Sequence, residues 1–365
     1  MRKMTLVMTH QCNFRCSYCP QNHEDVVMSR ETALHAVDLL ASSLESEQKE
    51  IPSVQISFYG GEPLLAEPLI REVVVYAEEK LTSLGVKKVL FEITTNGLLL
   101  KEDFIAFAKQ HHIYLALSHD GVGQDMSRRD RGGHATKERV DAILKTMLRH
   151  NSGTFIMMTL HPDCVETLCD SMRFFHDSGV KNMNLTLANG PRVNWTEEKK
   201  EILLNQLEEL ETLYEQWNQG ENEFRFTPFD NKIRNYILER SSDDRMCHFT
   251  SDKIMIDCDG RFFPCNHFIG MNDFCIGNLE DGADEPLIHS LDAQRVESDT
   301  CKACGYAERC RHNCACANHG HTGNMCAVSR LQCEYEQATI RLADQAAMKL
   351  ISEENPKFVK RMYKA

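Results

Sequence analysis

Three cysteines near the N-terminus are spaced for metal chemistry. Cys12, Cys16 and Cys19 stand in a C-x3-C-x2-C pattern directly after a short apolar run. Thiolates are soft ligands, and three on one tight loop can hold three irons of a [4Fe–4S] cluster that ordinarily takes four cysteines. The missing fourth ligand leaves one iron open to a small molecule. A zinc site completed by His10 or His23 is the plain alternative, although structural zinc seldom uses this spacing. A second constellation lies far downstream. Cys247 is followed by twelve residues, Gly260, four residues and Cys265. Cys301 and Cys304 form C-x2-C, Cys310 follows after five residues, Cys314 after three more, and Cys333 after a gap. One or two zinc knuckles could use part of that set. The chain carries 16 cysteines in 365 residues. Its N-terminus starts basic but has too short an apolar stretch for a signal peptide. Disulfide stapling suits short secreted chains, so metal ligation in a reducing compartment is the better account, and a cytoplasmic location is expected.

These residues need elements to hold them. Strand patterns fall at 4–8, 53–58, 89–93, 113–117, 154–160 and 182–187. Amphipathic helical patterns alternate with them at 30–44, 67–84, 102–110, 137–149 and 166–178. Strand then helix, repeated, implies parallel strands with right-handed crossovers. The number of units is short of a full eight-unit barrel, so the expected fold class is α/β, a partial and open (β/α)6 barrel over 1–190. Residues 194–217 read as a long acidic helix with Thr196 as N-cap, within a helical bridge at 191–240. Residues 241–335 are rich in Cys, Gly, Asn and His and can bury little apolar core, so bound metal is the expected staple. Within them, 254–265 read as a β-hairpin turning at Asp259-Gly260 and delivering Cys265. Residues 331–351 read as a terminal helix, and 336–365 are assigned to the C-terminal helix and tail. Net charge is −13, from 41 basic and 54 acidic residues, which gives no general attraction to nucleic acid or anionic lipid. No apolar run approaches the ~20 residues of a membrane span.

The N-terminal spacing resembles the radical SAM superfamily, and further motifs extend the resemblance. Tyr59-Gly60-Gly61-Glu62-Pro63 follows the second strand pattern, Thr94-Thr95-Asn96-Gly97 the third, and Ser118-His119-Asp120-Gly121 the fourth. Strand C-termini are where α/β barrels place their chemistry. The resemblance implies that Gly60, Gly61 and Glu62 meet the amino group of S-adenosylmethionine (SAM), the glycines letting backbone carbonyls approach closely. It implies Asn96 in the same site. Ser118, with Arg131 or Arg139, would serve the SAM carboxylate and ribose, exposed surface arginine being the plain alternative for both. The downstream cysteines resemble the SPASM extension of these enzymes, which binds two auxiliary [4Fe–4S] clusters. By that resemblance Cys247, Cys265 and Cys314 hold an inner cluster, and Cys301, Cys304, Cys310 and Cys333 an outer one. Cys258 or Cys275 could complete the inner set, or an iron stays open to a substrate thiol. Cys326 competes with Cys333, which is favoured by its place at the start of the terminal helix. Cys164 and Cys169 read as small buried hydrophobes. His248, His267, His312, His319 and His321 read as surface or supporting residues rather than ligands.

The implied activity is SAM cleavage to a 5′-deoxyadenosyl radical that modifies a peptide or protein. The run from Asp259 to Cys265 resembles the sulfatase maturases, but Asn266 stands where those enzymes have an aspartate as proposed base. An amide is no useful proton acceptor near neutral pH, so Asp257, Asp259 and Asp273 are the candidate bases. Oxidative crosslinking of a ribosomally made peptide is therefore the expected reaction. Formylglycine formation, or dehydrogenation or decarboxylation of a small molecule, are the alternatives. The first cluster cysteine at residue 12 leaves no room upstream for a leader-recognition domain, so a substrate leader, if there is one, would be bound by a separate leader-binding protein or by an unusual surface. The aromatic and basic stretch 224–236 is a weak substitute for such a domain, and structural core is its plainer reading. A flavodoxin- or ferredoxin-type electron donor is expected from the family.

Overall fold

A computed structural model describes residues 2–45, 51–220, 222–239, 253–311, 314–353 and 355–363. In chain order its main strands are β1 (Lys3–Thr9), β2 (Val54–Gly60), β3 (Val89–Thr95), β4 (Ile113–Ser118), β5 (Phe155–Leu160), β6 (Asn182–Leu187), β7 (Arg225–Phe226), β8 (Lys253–Ile256) and β9 (Phe262–Phe263). The helices that matter here are α1 (Arg30–Glu45), α2 (Glu67–Ser83), α3 (Glu102–Gln110), α4 (Lys137–His150), α5 (Leu168–Asp177), α6 (Glu197–Trp217), α7 (Thr227–Ile237), α8 (Ala315–Thr322), α9 (Arg330–Ser352) and α10 (Pro356–Tyr363). The strand–helix alternation is thus observed within a residue or two of the sequence expectation. One helix starts later than its apolar pattern: a 3-10 segment, Pro162–Thr167, precedes α5, because Pro162 suits a first turn better than a helix interior.

The chain divides into two compact units: residues 1–15, 19–117 and 248–294, and residues 16–18, 118–247 and 295–365. In the first, β1, β2, β3 and β4 pair in parallel, with Lys3 opposite Gln55, Val54 opposite Val89 and Phe91 opposite Ile113. From Met4 to Thr9 every residue of β1 is buried, as expected of a strand covered on both faces. Helix α1 buries Ala33, Ala36, Val37, Leu40, Ala41 and Leu44, one stripe at helical spacing, and Ser29 caps it by accepting the Thr32 N–H at 3.0 Å. The predicted hairpin is present. Met255 and Ile256 of β8 pair antiparallel with Phe263 and Phe262 of β9, and Gly260 turns the chain at φ +84°. Strand β8 also lies parallel to β1, Lys3 opposite Lys253. That pairing spans most of the sequence, and no local pattern announces it.

In the second unit β5, β6 and β7 pair in parallel, with Phe155 opposite Asn182 and Met183 opposite Phe226. Thr196 caps α6 through Lys199 N–H at 3.3 Å, as expected. Helix α9 packs on α6 and α7. Phe224, Phe226 and Phe229 are fully buried, so the phenylalanines of 224–236 are core, while Tyr236 is exposed.

Candidate active site and cysteine centres

In the first unit, the chain leaving β1 carries Cys12. Its thiol is buried and pushed up to about 11 by that burial, with the Phe14 N–H donating to Sγ at 3.3 Å as the main opposing influence. The Asn96 side-chain amide lies 3.9 Å from the same sulfur and donates to Asn13 Oδ1 at 2.7 Å. The Gly60-Gly61-Glu62 segment is locked onto this loop: Gly61 N–H donates to Thr9 O and Glu62 N–H to Gln11 O, both at 2.9 Å. A Cβ on Gly60 would sit 2.2 Å from Thr9 O, and one on Gly61 2.2 Å from Gln11 O. The glycines are therefore required first by the β1 exit, a reason the motif alone did not show. Glu62 is 1% exposed. Its carboxylate accepts from Thr95 Oγ1 at 2.7 Å, Asn96 N at 2.8 Å and Leu64 N at 3.1 Å, tying the two segments 62–64 and 95–96 into one cradle. Tyr59, just before the glycines, has its phenol pushed up to about 12 by burial, against hydrogen bonds from Asn266 and Gln21.

The second unit contains Cys16 and a buried hub at Asp120. Asp120 Oδ2 accepts from Tyr18 at 2.8 Å and Ser127 at 2.7 Å and pairs with Arg128 Nε at 2.9 Å. Its Oδ1 accepts the Thr159 N–H at 3.0 Å. Arg128 is buried, and a terminal nitrogen reaches Cys16 Sγ at 3.9 Å. Burial works against its charge, and the fields of Asp120, Tyr18 and Cys16 outweigh it, holding the guanidinium strongly charged. The predicted arginines sit otherwise. Arg131 is exposed, and Arg139 is exposed and paired with Asp130 at 3.0 Å. Ser118 closes β4 half-buried. Arg128, Tyr18 and Asn13 were missed by sequence reasoning. The one available signal was Arg128 directly following the Ser118–Ser127 stretch, and burial, which singles it out, is not readable from one sequence.

Among the downstream cysteines, burial first and then the charges of Cys304 and Cys301 raise the thiol of Cys333 at the start of α9. Cys314 Sγ lies 3.5 Å from Cys316 Sγ. Cys247, His248 and His312 lie outside the described residues. Cys258 is buried against β1, its thiol donating to Val7 O at 3.0 Å and pushed up to about 12 by desolvation. Cys164 and Cys169 are buried with thiols likewise pushed up to about 12, in keeping with inert packing. The candidate bases differ sharply. Asp257 is 1% exposed and bonded to His10 Nε2 at 2.6 Å, Asp259 is exposed and paired with Arg261 at 2.7 Å, and Asp273 is exposed.

Residues 6–175 match the model of the radical SAM superfamily. The chain carries a radical SAM domain. A radical SAM domain is that of an enzyme, and it implies SAM and one [4Fe–4S] cluster. The donor set fits such a cluster: no disulfide joins any described cysteine, and Cys12 already receives an N–H. Cys12, Cys16 and Cys19 would hold it. The chain is similar to the cysteine-type anaerobic sulfatase-maturating enzyme of Clostridium novyi (strain NT), 23% identical over 322 residues, covering 83% of this chain and 84% of that one. It resembles the structure of anSMEcpe with bound AdoMet and Cp18Cys peptide at TM-score 0.77 and 18% identity, covering 94% and 98% of the two chains. It also resembles Streptococcus suis SuiB bound to precursor peptide SuiA, at TM-score 0.63 and 17% identity, covering 90% and 75%. These likenesses establish the fold as a radical SAM α/β protein with a cysteine-rich C-terminal region. No described helix is long and apolar enough to cross a membrane.

Proposed function

We propose that this chain is a radical SAM/SPASM enzyme that crosslinks a ribosomally made peptide oxidatively, through a thioether or carbon–carbon bond. With SAM and its cluster bound, the chemistry supplied is reductive SAM cleavage to a 5′-deoxyadenosyl radical that takes hydrogen from an unactivated carbon. The chain's own residues bind and orient. Glu62, Gly60, Gly61 and Asn96 form the cradle for the SAM amino group, and Arg128 replaces Arg131 and Arg139 as the buried cation beside Cys16. Ser118 would serve the SAM carboxylate or ribose. Cys247, Cys265 and Cys314 would serve an inner auxiliary cluster, and Cys301, Cys304, Cys310 and Cys333 an outer one, giving three clusters and an exit for the substrate's electron. A flavodoxin- or ferredoxin-type electron donor completes the reading. SuiB, solved with a precursor peptide, supports a peptide substrate.

The observation that carries crosslinking is Asn266. Its Nδ2 donates to Tyr59 Oη at 3.3 Å and its Oδ1 lies 3.0 Å from Cys265 Sγ. An amide there cannot take the proton released on substrate oxidation. In this reading the proton goes to Asp257, the buried carboxylate with a histidine partner. Similarity to a sulfatase maturase favours formylglycine formation as the second reading. The test is anaerobic turnover with SAM and a reductant on Cys-containing precursor peptides and, in parallel, a sulfatase peptide. Deoxyadenosine with loss of a hydrogen pair from the precursor peptide is expected, and Asn266→Asp by itself is expected to give no formylglycine. Formylglycine made by the unmodified protein overturns the ranking.

A further inference from the structure

Within the first unit, Tyr59 and Asn266 meet although they lie 207 positions apart in the chain. Tyr59 stands on β2 opposite Val7 of β1, directly before the Gly60-Gly61-Glu62 cradle. Asn266 follows Cys265 and opens a 3-10 turn, Asn266–Phe268. That turn is fixed by Phe268, whose N–H donates to Cys265 O at 3.0 Å and whose ring is fully buried. Both side chains are therefore anchored on settled backbone.

Hydrogen-bond accounting leaves one donor and one acceptor for something else. Asn266 Nδ2 donates to Tyr59 Oη at 3.3 Å, and the Gln21 amide donates to the same oxygen. Two donors occupy its lone pairs, so the phenol can only give its own proton. Burial outweighs those donors and holds the phenol at about 12, so the proton is present at neutral pH. No acceptor for it exists among the described residues. Asn266 Oδ1 lies 3.0 Å from Cys265 Sγ and takes the thiol proton. As a metal ligand Cys265 is a thiolate with no proton to give, which frees Oδ1 to accept from elsewhere.

We propose that Tyr59 and Asn266 clamp one peptide group of the substrate, Tyr59 O–H donating to its carbonyl and its N–H donating to Asn266 Oδ1. This rests on the peptide-substrate reading above and deepens it. A fixed donor beside a fixed acceptor matches the two polar groups of a backbone amide and neither needs reordering on binding. Tyr59 adjoins the SAM cradle, so the gripped peptide group stands next to the carbon that is attacked. Both are positioning residues: neither takes the proton. Asn266 thus holds substrate at the position where a carboxylate would have acted as base.

The test uses the full chain, anaerobically reconstituted, with SAM and no reductant, so that binding is read without turnover. The probe is a random octapeptide library with one fixed cysteine, and retained peptides are identified by mass spectrometry. Each retained sequence is remade with every amide in turn replaced by an ester, which removes the N–H of one peptide group and weakens its carbonyl. One position should lower affinity for the unmodified chain about tenfold. Tyr59→Phe and Asn266→Ala should each weaken the all-amide peptide about threefold or more, and in the double variant the ester penalty at that position should vanish. A flat ester scan, or a penalty that survives in the double variant, overturns the clamp. A variant that loses SAM in calorimetry places Tyr59 or Asn266 in the SAM site and overturns it too. A library that yields no retained peptide overturns the peptide-substrate reading itself. The ester scan on the unmodified chain needs no variant, so it decides even where a variant fails to fold.

Discussion

At the scale of single residues, buried charge marks the chemistry more reliably than motif membership does. Glu62 is buried with three donors directed at its carboxylate, a set a carboxamide cannot reproduce. In Glu62→Gln one donor meets another donor. Hydrogen bonds to a charged group contribute about 1.5–3 kcal/mol each, so SAM affinity measured by calorimetry should fall at least about tenfold. An unchanged affinity would remove Glu62 from the SAM cradle. Arg128 makes the complementary point. Arg131 and Arg139 share its charge and its neighbourhood in sequence, yet one is exposed and the other pairs with Asp130 in solvent. Arg128, held against Asp120 and Tyr18, has its charge enforced beside Cys16.

At the scale of elements, the bridge and the terminal helix are joined by polar groups in a buried setting. Lys232 of α7 and Glu336 of α9 form an ion pair with both side chains 5% exposed. Glu336 also accepts the Arg311 N–H at 2.9 Å, directly after Cys310 in the chain. Removing one partner strands the other, so Lys232→Met should lower stability by about 3–5 kcal/mol in urea unfolding, with Lys232→Met/Glu336→Leu recovering much of the loss. Equal destabilisation by single and double variants would show that the pair itself stabilises. Glu211 of α6 gives a pH test. Burial, then its neighbour Glu215, raises its carboxyl from 4.5 to about 7, against Lys349. The folded value exceeds the unfolded one, so its contribution is complete below pH 4.5 and is lost as pH rises through about 7. Glu211→Gln should therefore melt higher than the parent at pH 8, with the gap closing by pH 5. A constant gap across that range would assign the effect to packing instead.

For the whole molecule, the cysteines of the loop after β1 and those downstream form separable centres in the proposed reading. Replacing Cys12, Cys16 and Cys19 by Ala should abolish deoxyadenosine formation while leaving roughly two-thirds of the iron. Surviving SAM cleavage would refute the role given to that loop. Loss of all the iron would mean that the centres assemble together.

The sequence by itself determined the cysteine spacings, the alternation of strands and helices, and the motif at each strand end. All are local: ligand spacing is covalent, and a strand or helix shows its period within a dozen residues. Tertiary structure decided the rest. The β1–β8 pairing joins Lys3 to Lys253, and with it come Asp257 beside His10 and Cys258 against Val7. Burial of Arg128 rather than Arg131 depends on which face of a short turn meets Asp120. The placing of Cys333 near Cys301 and Cys304 depends on where α9 begins relative to a loop thirty residues upstream. Such choices are made by packing between distant segments, and one-dimensional spacing carries no record of them.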